Sequence, residues 1–200
     1  MADNSLLIIL GNQLFPLSEI KKTKTKKIFM KEDLGLCTNY KHHKLKILFF
    51  LSAMRQYKDL LQSNGYEVIY HAIDDVVFEE NYLKVLKKEI KDKKISKLTY
   101  FEIEDNEFQA DFKKFIEKEK IESEEFYSPM FLCKKNEFKD FFGNKSLRMS
   151  SFYQMMRRKH NLLMEGDKPR GDKWSGDAEN RKGLPKNSEI PVLPIAQSSK

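Results

Sequence analysis

Cysteine is scarce in this 200-residue chain: Cys37 and Cys133 are the only two. Neither has a second Cys or a His at metal-ligand spacing, which argues against a zinc or iron–sulfur site built by this chain alone. Two such thiols imply no disulfide framework, so a reducing cytoplasm is the expected compartment. Long apolar runs are missing too. A run such as Ile47–Leu51 is far too short to span a bilayer. Ser5–Leu10 has no basic stretch before it and too few residues for a signal peptide, so no membrane partner is expected. No G-x-G-x-x-G follows a strand-like run, which removes the usual dinucleotide fingerprint. Tryptophan occurs once, at Trp174. Glycine and proline are thin over most of the chain and crowd its last stretch. There Gly166, Pro169, Gly171, Gly176, Gly183, Pro185, Pro191 and Pro194 exclude long regular elements.

What is present reads as a globular domain with a polar surface: 40% hydrophobic residues, 34% charged, and a formal charge of +7. That charge permits an anionic partner, although lysines and glutamates are interleaved on the expected helix surfaces. The organising stretch is Leu6-Leu7-Ile8-Ile9-Leu10, five apolar residues closed by Gly11-Asn12-Gln13-Leu14. A short unbroken apolar run stopped by glycine reads as a strand buried on both faces. Further strands are expected at Ile28–Met30, Tyr66–His71, Leu98–Phe101 and, as an acidic edge, Ile121–Tyr127. Helices are expected at 41–64, 82–91, 107–120, 136–142 and from Ser150 or Ser151 to about Met164. The lysine-rich 21–27 and the segment 33–39 read as loops. Strand–helix alternation of this kind gives an α/β fold, an open parallel five-stranded Rossmann-like sheet with helices on both faces. A helical extension at 131–164 and a Gly/Pro-rich arm at 165–200 follow a first domain at 1–130.

In such a sheet, ligands sit beyond the carboxyl ends of the strands. Gly11 allows close approach, and the Asn12 and Gln13 amides can each donate and accept. Glu32 follows the second strand and lies within reach of the same edge. His42 and His43, inside Lys41–Lys46, put positive charge at a helix start, where an anion would offset it. Leu48 and Phe49 widen the apolar face of that helix and are expected to be buried. Arg157-Arg158-Lys159 is a second basic cluster, suited to phosphates or to an exposed helix face. Trp174 is expected to anchor the arm against the last helix.

Taken in order, Gly11-Asn12-Gln13-Leu14, His42-His43-Lys44, Ser52-Ala53-Met54-Arg55, Phe152-Tyr153, Met156-Arg157-Arg158-Lys159, Leu162-Leu163-Met164, Lys173-Trp174 and Asp177-Ala178-Glu179-Asn180-Arg181 resemble the deoxyribodipyrimidine photolyase-related proteins, the iron–sulfur bacterial cryptochromes and photolyases. The resemblance implies an antenna-type α/β domain from a light-dependent DNA-repair flavoprotein, whose FAD and iron–sulfur cluster lie in a separate helical domain. It also implies a 6,7-dimethyl-8-ribityllumazine pigment over Gly11, Asn12, Gln13 and Glu32. Arg157, Arg158, Lys159, Trp174 and Arg181 would then face the other domain or DNA. This sequence departs from the family pattern in two places. Asn12 stands where an aspartate is usual, and Leu36 stands at a second acidic position. Without the helical domain, the chain alone is not expected to catalyse repair. The alternative is a stand-alone Rossmann-like module for a nucleotide-like or anionic ligand.

Overall fold

The computed structural model describes residues 4–144, 146–177 and 180–193, with the Leu36 side chain also outside the description. The chain divides into two compact units, Met1–Leu132 and Cys133–Lys200.

The first unit is built on five parallel strands: β1 Ser5–Ile8, β2 Lys27–Lys31, β3 Glu67–His71, β4 Lys97–Phe101 and β5 Glu122–Phe126. Their order across the sheet is β3-β2-β1-β4-β5. Helices α1 Leu17–Lys22, α2 Leu34–Thr38, α3 Lys44–Ser63, α4 Tyr82–Asp92 and α5 Asn106–Glu119 connect them. The apolar run therefore occupies the middle of the sheet, as its composition requires. Leu6 and Ile8 join one core with α4 and α5, while Leu7 and Ile9 join the other with α1 and α3. Alternate side chains of one strand feed opposite faces, so both must be apolar. The acidic strand β5 lies at the edge.

At the amino edge of the sheet the buried polar groups are hydroxyls. Thr25 Oγ1 lies 3.3 Å from Ser5 Oγ and 3.0 Å from Thr99 Oγ1, and Thr25 donates to the Thr23 carbonyl at 3.2 Å. This network explains one departure from the sequence reading. Thr23 and Thr25, expected in an exposed loop, are 6% and 3% exposed. A second departure is α2, where the Asp33 carboxylate caps a short helix by accepting from the Gly35 amide at 2.9 Å. A third concerns α3. It begins at Lys44, after a His43 cap, and only one face meets the sheet. Leu51, Met54, Tyr57 and Leu61 are buried there, whereas Leu48 and Phe49 stay exposed.

The second unit holds α6 Lys135–Phe142 and α7 Met149–Lys159. Phe138, Phe142 and Phe152 pack with ring centroids 4.9 to 5.8 Å apart. Helix α7 stops five residues short of the expected end. Asn161 and Leu163 take left-handed backbone angles, φ 51° and 52°, which close the helix and turn Leu162 and Leu163 outward. The start of the arm then forms a two-residue hairpin, β6 Met164–Glu165 with β7 Lys168–Pro169.

Candidate functional site

In the β3-β2-β1-β4-β5 order the chain leaves β1 in one direction and comes back to its other side at β4. The crevice between those two strands is the topological switch point. The turn after β1 borders it. Gly11 is buried, and a Cβ there would lie 2.6 Å from a Phe50 ring carbon and 2.8 Å from Met54 Sδ. The glycine thus admits α3 against the turn. Gln13 is 1% exposed and donates across the crevice to the Glu102 carbonyl at 2.8 Å and Glu104 Oε2 at 3.4 Å. Ser128 closes the far side, its hydroxyl in a short hydrogen bond to Glu104 and its amide 3.2 Å from Glu102 Oε2. Asn12 is exposed, and Leu14 packs partly buried against the core on the α3 side.

Beyond β2 lies a compact ionic cluster. The Glu32 side chain is fully buried. Its Oε1 accepts from Arg55 Nε at 2.7 Å and the Tyr70 hydroxyl at 2.6 Å. Its Oε2 accepts from Arg55 at 3.0 Å and the Ile73 amide at 2.7 Å. Burial by itself would raise the Glu32 carboxyl. The hydrogen bonds from Arg55, Tyr70 and Ile73, with the Arg55 charge, outweigh it and hold the group below its ordinary value. Burial, reinforced by Glu32, pushes the Tyr70 phenol up, so it remains a donor. Next in sequence, Lys31 is also buried, with Nζ 2.8 Å from Asp33 Oδ1 and 3.1 Å from the Phe78 carbonyl. His42 and His43 separate in role. His43 is exposed and its Nδ1 accepts from the Leu45 amide at 3.2 Å. His42 lines a cavity of about 150 Å³ with Cys37, Lys46, Ile47 and Phe50. Burial and the nearby Asp33 and Glu32 charges raise the Cys37 thiol, which keeps it protonated and a poor nucleophile.

In the second unit, Arg157 is 6% exposed, and its donors end on four backbone carbonyls. These are Leu162 at 3.0 Å, Leu163 at 2.5 Å, Lys173 at 3.3 Å and Trp174 at 2.9 Å. Arg157 therefore holds the arm to α7 and spends its fork internally. The Arg158 guanidinium lies 4.4 Å from the Trp174 ring centroid. An open groove of about 590 Å³ runs beside them, lined by Met149, Phe152, Tyr153, Met156 and Trp174 with Ser175 and Asp177. Lys159 pairs with Glu137 at 2.6 Å, and Arg181 is exposed. Ala178 and Glu179 lie outside the described residues.

A family model described as deoxyribodipyrimidine photo-lyase-related protein matches residues 7–200. The chain belongs to this family. It is 35% identical over 183 residues to a (6-4) photolyase of Agrobacterium fabrum, an alignment covering 89% of this chain and 36% of that protein. It is 27% identical over 198 residues to an uncharacterized protein of Acanthamoeba polyphaga mimivirus, covering 90% of this chain and 95% of that one. This photolyase-related chain thus spans about a third of the photolyase's length and nearly all of the viral protein's.

Two of the residues that the resemblance assigns to a ribityllumazine at the carboxyl edge, Gln13 and Glu32, already spend hydrogen bonds within this photolyase-related chain. Gln13 gives its amide donors to the crevice, and both Glu32 oxygens already hold two donors each. Among the described residues no group of three or more His, Cys, Asp or Glu is placed to hold a metal ion, and no helix is long and apolar enough to cross a membrane.

Sequence reasoning missed Arg55, Tyr70 and Lys31. A lone charged residue within an apolar helix stripe or at a strand end was the available signal. It also missed a segregation of charge that emerges once the unit boundary is known. The first unit holds 22 of the 37 Lys and Arg against 22 of the 30 Asp and Glu, and is neutral. The second holds the remaining 15 against 8, which is the whole +7.

Proposed function

We propose that this chain is the N-terminal portion of a photolyase-like flavoprotein, working in light-dependent DNA repair in the cytoplasm. In this reading the parallel sheet is a scaffold and the second unit is the DNA-facing part. FAD and an iron–sulfur cluster would be held by polypeptide other than these 200 residues. The observation that carries the reading is the 35% identity to a (6-4) photolyase, joined to a surplus of positive charge confined to 68 residues. Asymmetry of that kind is the electrostatic footprint of a nucleic-acid binder. Arg158 and Arg181 supply phosphate contacts, and Trp174 with Tyr153 offers aromatic faces to a base. Arg157 serves indirectly, by fixing the segment that carries Trp174. The chain supplies binding and orientation; the flavin, when present, supplies the photochemistry.

Trp174 is the sole tryptophan, so its emission reports on this surface without labelling. Titrating the purified chain with a UV-irradiated duplex should quench it. With the two phosphate contacts of Arg158 and Arg181, affinity should fall roughly twelvefold between 50 and 200 mM salt. Emission unchanged at low salt, or binding indifferent to salt, refutes the reading. A second reading, a stand-alone module for a small anion, draws on His42 and Lys46 beside the 150 Å³ cavity. Saturable heat on titration with a mononucleotide, lost in His42→Ala, would favour it.

A further inference from the structure

Helix α3 has two apolar faces and uses one. Opposite the buried Met54 and Leu61 it presents Leu45, Leu48 and Phe49, which are 61, 63 and 76% exposed, with Tyr40 at 75% just before the helix. Residues at i, i+3 and i+4 share one patch of helix surface. Single exposed apolar residues are ordinary, but a contiguous set marks a contact surface.

The surroundings specify the partner. From Leu34 to Lys58 the sequence contains no Asp or Glu, while Lys41, Lys44 and Lys46 flank the patch. The positive end of the helix dipole lies at the same place. A second copy is a poor occupant, because a two-fold contact sets the patch against itself. Both lysine clusters and both positive helix ends would then converge. Complementarity calls for carboxylates around an apolar stripe. A polypeptide source is consistent with the (6-4) photolyase relative, most of whose length lies outside the match.

We propose that the outer face of the first half of α3 docks an acidic amphipathic helix, with Leu45, Leu48 and Phe49 packing on its apolar stripe and Lys41, Lys44 and Lys46 meeting its Asp and Glu flanks. The partner helix belongs to the further polypeptide that the proposed function requires, and to that extent the proposal rests on that reading.

The probe is a synthetic 20-residue helix of Leu and Glu at amphipathic spacing, with its Leu/Lys counterpart as control. Both are titrated against the full chain by fluorescence anisotropy. The Leu/Glu peptide should bind and the Leu/Lys peptide should not. Leu48→Ser with Phe49→Ser should weaken binding at least about tenfold, the effect of removing a packed apolar anchor. These positions are exposed, so unfolding is not expected, and circular dichroism checks it. Lys41→Glu, Lys44→Glu and Lys46→Glu together should reverse the peptide preference without touching the apolar stripe. Equal or absent binding of the two peptides overturns the proposal. So does a concentration-dependent dimer of the wild-type chain abolished by the Ser pair, which assigns the face to a second copy. Retention on phosphatidylserine vesicles lost in the same pair assigns it to lipid and overturns it equally. DNA quenching of Trp174 should be the same in the Ser pair, so loss of docking and loss of the DNA reading are separate results.

Discussion

Replacing Glu32 by glutamine tests whether the cluster behind β2 works as an ionic lock. The amide keeps the shape and one acceptor, but its NH₂ must face a donor, Arg55 or the Ile73 amide. Breaking a fully buried pair costs about 3–5 kcal/mol. Here the Glu32 side chain is 0% exposed while Arg55 is 44% exposed and keeps part of its hydration, so the cost should be lower. A loss of about 2–3 kcal/mol at pH 7 follows from charge-assisted hydrogen bonds of this type. For a domain of this size that lowers the melting temperature by roughly 5–10 °C. The pH dependence gives a sharper signature. The folded Glu32 carboxyl is held below its unfolded value, so the native state binds this proton less readily. Its contribution is complete above the unfolded value, about 4.3, and is lost as pH falls through the folded one. The gap between wild type and Glu32→Gln should be full at pH 6–7 and shrink only below about pH 4. Thermal unfolding at half-unit pH steps measures it. An undiminished gap at pH 3, or no gap at pH 7, refutes the reasoning.

Gly11→Ala should destabilise the first unit by about 1–3 kcal/mol through overpacking on Phe50 and Met54, and Phe50→Leu in the same chain should restore part of it. Gln13→Ala removes a buried donor from the Glu102 carbonyl and should cost about 1–2 kcal/mol in chemical denaturation, with no effect on the second unit. Arg157→Lys keeps the charge but not the fork, so trypsin should cut at Arg170 or Lys173 well before it does in the wild type, where the first cuts should fall after Lys182 or Lys186. If those cutting rates match, Arg157 is not what holds the arm.

The sheet was readable because its signals are local. Leu6–Leu10 is apolar at every position, and the acidic Ile121–Tyr127 could only lie at an edge. The candidate site was less readable because its roles depend on distant partners. Gln13 and Glu32 were named as ligand contacts from their place at strand ends, but what they touch here is set by Glu102, Glu104, Arg55 and Tyr70, residues far away in sequence. His43 looked like part of an anion site, and its ring accepts from its own helix. Leu48 and Phe49 showed apolar character without showing that the sheet covers only one side of α3. Charge was judged over the whole chain, which averaged a neutral unit with a basic one.

The Ser5–Thr25–Thr99 network gives the sheet a chemical direction. At that end the buried polar groups are neutral rotors, each able to donate or accept, and acid changes none of them. At the opposite end the strands are closed by Glu32, Arg55, Lys31 and Asp33, whose attraction depends on charge. Acid therefore loosens that end of the same strands more than the other, where Lys97 pairs only with the exposed Glu122 and Glu124. Amide exchange below about pH 4 should spread from Lys31 and His71 toward Ser5 and Lys97, a gradient along each strand rather than across the sheet. The edge where a ligand would enter is the edge whose rigidity the solvent can adjust.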